Sequence, residues 1–394
     1  TEAEISEGLG ELESLEAVFE KKLLKRTGRE GKAFLRELQN AQIRLDNDKK
    51  LAEALETAGN VVLPMFFKEA TVVGEGREEP DPMLVDQSIQ NVRNEGDFNV
   101  PKGSEIVLPV ASFFQAAKGV GHFNLSYDMD GTARRERLLY AYNGHYFPSY
   151  TLRVAALFLN LPMEDVRADL GAAIYLGSSV EVPTTLYSEM LISFKGPRNS
   201  FRSFSYFDVI NDKIPSSVFK NKLVLVSPTA VGIMNPLSAP TDPTMPVGEF
   251  SAHTIWAILN KSFIQKPPWA ELAELIVIVF IGMIIAFVLP RLKAIFSGIV
   301  FAVLLVLFIG GTAFAFVSGG LWMPSMYPLI ELVVGYIGVV SLSYFVTEAH
   351  RDKVEGESAE TNRMLGLSFQ NQGMLDMAFD KFRRVPINDE MKDI

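Results

Sequence analysis

Cysteine is absent from the 394 residues, which removes a disulfide framework and any thiolate zinc site and leaves the redox compartment open. Histidine is nearly as scarce. His122, His145, His253 and His350 are scattered along the chain and form no metal cluster, so neither a metal nor a cofactor is expected. Excess positive charge is also missing. The formal net charge is −10, and no basic stripe with interleaved aromatics occurs, which argues against nucleic acid as a partner. Catalytic signatures are lacking as well: there is no Walker A, HExxH or G-x-S-x-G segment. Gly119-Val120-Gly121 lacks the third glycine and the following helix of a dinucleotide site. Asp128-x-Asp130-Gly131 opens like a calcium loop, but Ala133-Arg134 follow where oxygen ligands are needed and no Glu closes the register. Its residues suit a tight turn, with Asp acceptors and a positive φ at Gly131. The sequence points away from an enzyme.

Charge is missing most heavily from residues 275–346. Three apolar runs stand there, at about 269–289, 294–317 and 324–346, each long enough for a ~30 Å hydrocarbon core at ~1.5 Å per residue. Their loops set a direction. Pro290-Arg291-Leu292-Lys293 joins the first two with two cations, and His350, Arg351 and Lys353 follow the third. Residues 318–323 between the second and third carry no charge and include Trp322. Cation-bearing loops belong in the cytoplasm, so residues 1–268 are expected outside and the C-terminus inside, with Trp269, Trp322 and Tyr327 at the outer interface. Glu331 is the one acid within the third run. It is either a functional intramembrane group or, ~10 Å below Pro324, close enough to reach the headgroups. The opening stretch, TEAEISEGLGELESLEAVFEKKLLKR, is neither a signal peptide nor an anchor helix, so the natural chain is expected to begin upstream or to have lost a signal.

Within 1–268 the pattern alternates between helix and strand. Residues 5–58 carry apolar positions at helical spacing. Strands are predicted at 61–67, 106–110, 121–127, 173–176 and 191–194, and at Lys222–Ser227 as a buried strand from its unbroken Val/Leu run. Helices are predicted at 149–159, 205–210 and 250–259. This alternation predicts an α/β domain with a mixed sheet and flanking helices, followed by three transmembrane α-helices and a cytoplasmic helical hairpin. Four stretches occur in a telling order. They are Asp128-x-Asp130-Gly131-x-x-Arg134-Arg135, Phe194-Lys195-Gly196-Pro197, Lys222–Ser227 leading to Thr229-Ala230, and Pro246-Val247-Gly248-Glu249-Phe250-Ser251-Ala252-His253. Over roughly 40–350 the chain resembles the CHASE2 extracytoplasmic sensory domain with its three-helix membrane module. The family usually reads Pro-Gly-Val-Glu-x-His-Ala-Asn in the last stretch. Here Val247 and Gly248 are transposed, Ser251 replaces the His, and His253 takes the Asn position. Asn235 stands where an Asp is common.

The resemblance implies a bacterial receptor segment. Candidate ligand residues are Arg134, Arg135, Asn235, Asp242, Glu249 and His253. The Arg134-Arg135-Glu136-Arg137 cations could receive an anion, or Arg135 and Arg137 could alternate on the solvent face of a strand. His253 could line a site or be a satisfied structural residue. Beyond a helical linker at 348–360, Leu365, Gly366, Phe369, Gly373, Ala378 and Phe382 keep the spacing of a tetratricopeptide-type repeat over 361–394, with Pro386 ending its second helix. One repeat cannot bury its own face, so further repeats are expected after Ile394, or a partner is. In relatives with such repeats a kinase or other output domain often follows. The expected partners are the lipid bilayer, a homo-oligomer or larger membrane assembly, and a cytoplasmic protein at the repeat. The leading expectation is a non-enzymatic sensor; a membrane-anchored assembly protein is the alternative.

Overall fold

The computed structural model describes residue 36, residues 46–69, and residues 79–385 apart from 97, 99, 231 and 234. Most of the helical segment expected at 5–58, and the chain from Pro386 onward, lie outside the described residues. The chain divides into two compact units, Thr1–Phe263 and Ile264–Ile394.

The first unit enters through α1 (Asn47–Ala58), where the Asp46 carboxylate accepts from Lys49 N at 2.9 Å and Gly59, at φ +62°, closes the helix. Strand β1 (Val62–Glu69) follows, with Met65 and Phe67 buried and Phe66 exposed between them. Next come α2 (Pro82–Val85), β2 (Asn91–Arg93), β3 (Gly103–Val107), α3 (Ala111–Ala116) and β4 (Gly119–His122). Strand β1 runs antiparallel to β3 and parallel to β4, so this sheet is mixed. Strands β5 (Leu125–Ser126), β6 (Arg135–Arg137), β7 (Leu139–Tyr142) and β8 (His145–Pro148) follow. A turn with positive φ at both Asn143 and Gly144 closes the β7–β8 hairpin, as Asn-Gly favours. Helix α4 (Tyr150–Phe158) is capped by the Ser149 hydroxyl, which accepts from Leu152 N.

The chain then forms the meander β9 (Val166–Asp169), β10 (Ala173–Leu176) and β11 (Val180–Pro183), with β2 parallel to β9 at the far edge. Strand β12 (Glu189–Ile192) pairs antiparallel with β6. After α5 (Tyr206–Ile210), the hairpin β13 (Leu237–Ala239) and β14 (Asp242–Met245) leads into α6 (Val247–Leu259). Leu152, Ala155 and Ala156 of α4 share a core with Phe250, Ala257 and Ile258 of α6 and with Ile174, Leu176 and Met190 of the sheets. The α/β class and mixed pairing are as expected, but the strands are spread over several small sheets.

One expected strand is corrected. Lys222–Ser227 pairs with no strand among the described residues, and Val224 and Val226 stand exposed while Leu223 and Leu225 are half-buried. Its Val/Leu run reported one covered side rather than two. Ser227 instead lies against the start of α6, where a Cβ built on Gly248 would fall 2.4 Å from the Ser227 Cβ. The Val247–Gly248 order therefore lets that backbone approach closely.

In the second unit α7 (Ala270–Met283) continues through a π turn, Ile284–Val288, and a 3-10 turn at Leu289–Arg291. Pro290 lacks the N–H that a regular helix would need there. Helix α8 (Ala294–Gly319) ends at Gly320 in the left-handed conformation. Helix α9 (Met326–Asn371) runs for 46 residues, and α10 (Leu375–Phe382) turns back upon it. Among the described residues three helices are long and apolar enough to cross a membrane: Ala270–Arg291, Ala294–Gly319 and Met326–Glu348. Gly335 of α9 meets Ile285, and Tyr336 stacks on Phe301 of α8 with centroids 4.2 Å apart. In the last hairpin Gly366 faces the Phe382 ring, and Ala378 is buried.

Candidate functional site

Strand alternation sorts the charged run of β6 onto two faces. Glu136 pairs in register with Met190 and Leu125 and points toward the core. Arg135 and Arg137 point to the opposite side, where they meet the largely buried carboxylate of Glu189 at 3.6 Å and 3.5 Å. Ser126 Oγ also donates to Glu189, at 2.9 Å. Arg137 reaches Glu69 at 3.2 Å and donates to the Tyr140 hydroxyl at 2.7 Å. Arg134 forks onto Asp130 and also bonds Asp128, at 2.8 Å and 2.9 Å. That contact holds the Asp130 carboxyl far below the ordinary carboxylate range. Gly131 takes φ +75° in the same turn. Arg135 and Arg137 are therefore half-buried members of an ion lattice, not free side chains on a solvent face. Three guanidiniums are answered by Glu69, Asp128, Asp130 and Glu189, which leaves little positive field for an added anion.

Behind this lattice lies a second layer. The Glu136 carboxyl is buried under α4 and α6, where Thr151 donates to it and the Ser149 and Thr254 hydroxyls are its other polar neighbours. Burial without a cation raises its pKa to about 7, against the opposing pull of those hydroxyls. His122 on β4 is buried between the rings of Phe67 and Tyr140, at 6.0 Å and 5.0 Å. Burial, then the charge of Arg137, lowers its pKa to about 3, so it stays neutral.

Helix α6 carries the other candidates. His253 is fully buried between Phe194 and Phe201, with ring centroids at 5.3 Å and 4.9 Å. Its Nδ1 accepts from Lys195 N at 3.1 Å, which leaves the proton of the neutral ring on Nε2. Burial, then the charge of Lys195, lowers its pKa to about 4. Nε2 has no partner among the described residues. One turn earlier, Glu249 Oε1 accepts from Ser200 N at 3.0 Å. Two side chains of α6 thus hold the 194–200 loop at both ends. Asp242 accepts from the backbone N and hydroxyl of Thr244 within its own turn, and Asn235 is exposed in the preceding loop.

The structure links the two groups through the backbone. Ile192 N donates to Arg134 O at 3.0 Å, two residues before the Phe194 loop, and Thr254 of α6 sits against Glu136. Glu249 and His253 come together, Arg134 and Arg135 form the ion lattice, and Asp242 and Asn235 join neither set by any bond among the described residues. Glu136 and Glu189 were missed from the sequence. The signal for Glu136 was available, because an acid between two residues assigned to one face must occupy the other.

The described residues form a mixed α/β domain, in which polar side chains of α6 clamp a loop, followed by three helices apolar and long enough to cross a membrane. The CHASE2 domain profile matches residues 21–287, about two thirds of the chain, and the chain belongs to that family of extracytoplasmic sensory domains. No curated protein and no solved structure matched in the corresponding searches.

Proposed function

We propose that the chain is the sensing and membrane-coupling part of a bacterial receptor in the inner membrane. Its outer domain binds a small molecule or protein and biases a cytoplasmic partner or output domain. The observation that carries this reading is His253 Nε2–H, a buried donor with no partner among the described residues, behind the 194–201 loop. An unmet buried donor costs ~1–3 kcal/mol, and a ligand oxygen entering beside Phe194 and Phe201 would recover it. Chain continuity supports coupling, since α6 ends at Leu259 and the first apolar helix begins at Ala270. The α9–α10 hairpin, with Gly366 against Phe382 and Ala378 buried, fits the start of a tetratricopeptide-type repeat that docks the cytoplasmic partner. The test is a thermal-shift screen of the purified chain against small polar metabolites and peptides. A saturable shift that His253→Phe abolishes supports the proposal. Hits that survive both His253→Phe and Glu249→Ala refute this site.

Exposed apolar side chains favour a second reading as an assembly protein. Tyr206, Phe207 and Ile210 on α5, with Val224, Val226 and Ile233, are more than half exposed, a composition suited to contacts between chains. A monodisperse monomer in mild detergent would remove that reading.

A further inference from the structure

Glu331 of α9 lies in an open groove of about 510 Å³ on the second unit, lined by Ile278 and Gly282 of α7, Ile285 of the π turn that follows, and Tyr327, Val334 and Gly335 of α9. A Cβ built on Gly282 would fall 2.9 Å from its Oε1, so the carboxyl is level with that glycine. Gly282 stands twelve residues past Ala270 and nine before Arg291, ~18 Å and ~13 Å along the helix. Helix α8 gives a depth within ~5 Å of this. Tyr336, five residues beyond Glu331, stacks on Phe301, seven residues from the start of α8 at Ala294. That puts Tyr336 ~10 Å, and Glu331 ~18 Å, from the Arg291–Ala294 end. Counted along α7 and α8 the carboxyl lies near the middle of those two spans, although it stands only five residues into its own, Met326–Glu348.

Oε2 of Glu331 is buried and has no hydrogen-bond partner among the described residues. Residues 270–289, 294–319 and 326–346 contain no Lys, Arg or His. These three spans of a second copy therefore bring no cation to this depth, and a lipid amine in the headgroup layer lies ~15 Å away. Glu274 shares the groove face of α7 with Ile278, Gly282 and Ile285, at i, i+4, i+8 and i+11. Its Oε1 is also buried without a partner. Glu274 thus stands on the same helix face beyond the groove lining, ~12 Å along the axis from the level of Glu331.

We propose that this groove docks a transmembrane helix of a partner protein that carries a lysine or arginine near mid-span, paired with Glu331. An ionisable group at mid-span is costly unless paired, and Gly282 and Gly335 let another backbone approach closely. A second basic residue about eight positions nearer the Ala270 end of the groove would meet Glu274.

The test reconstitutes the full chain in phosphatidylcholine vesicles with a donor dye and adds acceptor-labelled leucine-rich transmembrane peptides. A peptide with one central Lys is expected to bind at least tenfold more tightly than the all-leucine control. Glu331→Gln is expected to abolish the difference. Glu331→Lys should reverse the preference, binding a peptide with a central Glu instead, which shows that the variants still fold. Equal binding of Lys and all-leucine peptides, or undiminished Lys binding by Glu331→Gln, would overturn the proposal. So would loss of self-association in Glu331→Gln without any Lys-peptide binding by the unaltered chain, because the occupant is then a second copy.

Discussion

Replacing Glu136 by Gln should stabilise the outer domain in a strictly pH-dependent way. The carboxyl pKa rises from an ordinary 4.5 to about 7 on burial against Ser149, Thr151 and Thr254. An acid with a raised folded pKa costs nothing while both states are protonated. Its cost begins as pH passes 4.5 and is complete above about 7, where the shift amounts to ~3 kcal/mol. His122 has the opposite sign. As a base held neutral with a pKa lowered to about 3, it contributes its full stability above pH 6.5 and loses it progressively as pH falls toward 3. Between pH 4.5 and 6.5 the two slopes cancel, so these two groups leave the native protein nearly flat there. Subtracting native from variant isolates Glu136. The difference should be near zero at pH 4 and reach ~3 kcal/mol by pH 8. Hydrogen exchange of the α4 and α6 amides in the intact, detergent-solubilised chain reads it directly. A variant that is no more stable at pH 8 than the native chain would show that the carboxylate is compensated, and the reasoning would fail.

Other consequences follow from single contacts. His122→Phe keeps the ring packing against Phe67 and Tyr140; in the same exchange assay it should gain protection as pH falls from 6.5 to 4.5, where the native chain is nearly flat, because only the Glu136 slope remains. Gly121→Ala would set a Cβ 2.6 Å from the Tyr150 backbone, where nothing flexible can give way, and should lower stability by ~1–3 kcal/mol in denaturant titrations. Gly366→Val would drive into the Phe382 ring, 2.7 Å from an added Cβ, and should expose the α9–α10 hairpin to limited proteolysis without changing exchange in the outer domain. Arg134→Ala removes only partly exposed ion pairs with Asp128 and Asp130, so its effect on thermal stability should stay below ~1 kcal/mol.

The membrane helices were legible because their signal is compositional. Long, nearly uncharged apolar runs need no tertiary context to be recognised, and Arg291 and Lys293 mark the turn between the first two. Helices α4 and α6, the strand at 173–176 and the turn at Gly131 were also readable, since caps, alternation and positive φ are local properties. Lys222–Ser227 was not, because pairing depends on which strand lies alongside and the Val/Leu run is silent on that. The meander strands at 166–169 and 180–183 were hidden by their mixed composition. At the site, the sequence offered charges without partners. Only the fold shows that Glu69 and Glu189, distant along the chain, answer Arg137, and that Glu249 and His253 serve the same loop.

The central claim is a domain on one side of the membrane joined through three spans to a helical hairpin on the other. Because the chain has no cysteine, single cysteines report accessibility without background. Met129→Cys, at a fully exposed turn position, Leu292→Cys in the cationic turn and Met364→Cys near the hairpin can each be probed with a membrane-impermeant maleimide. In right-side-out vesicles the account predicts labelling at 129 alone, with 292 and 364 labelled only after permeabilisation. Labelling of 364 before permeabilisation, or protection of 129, would contradict it.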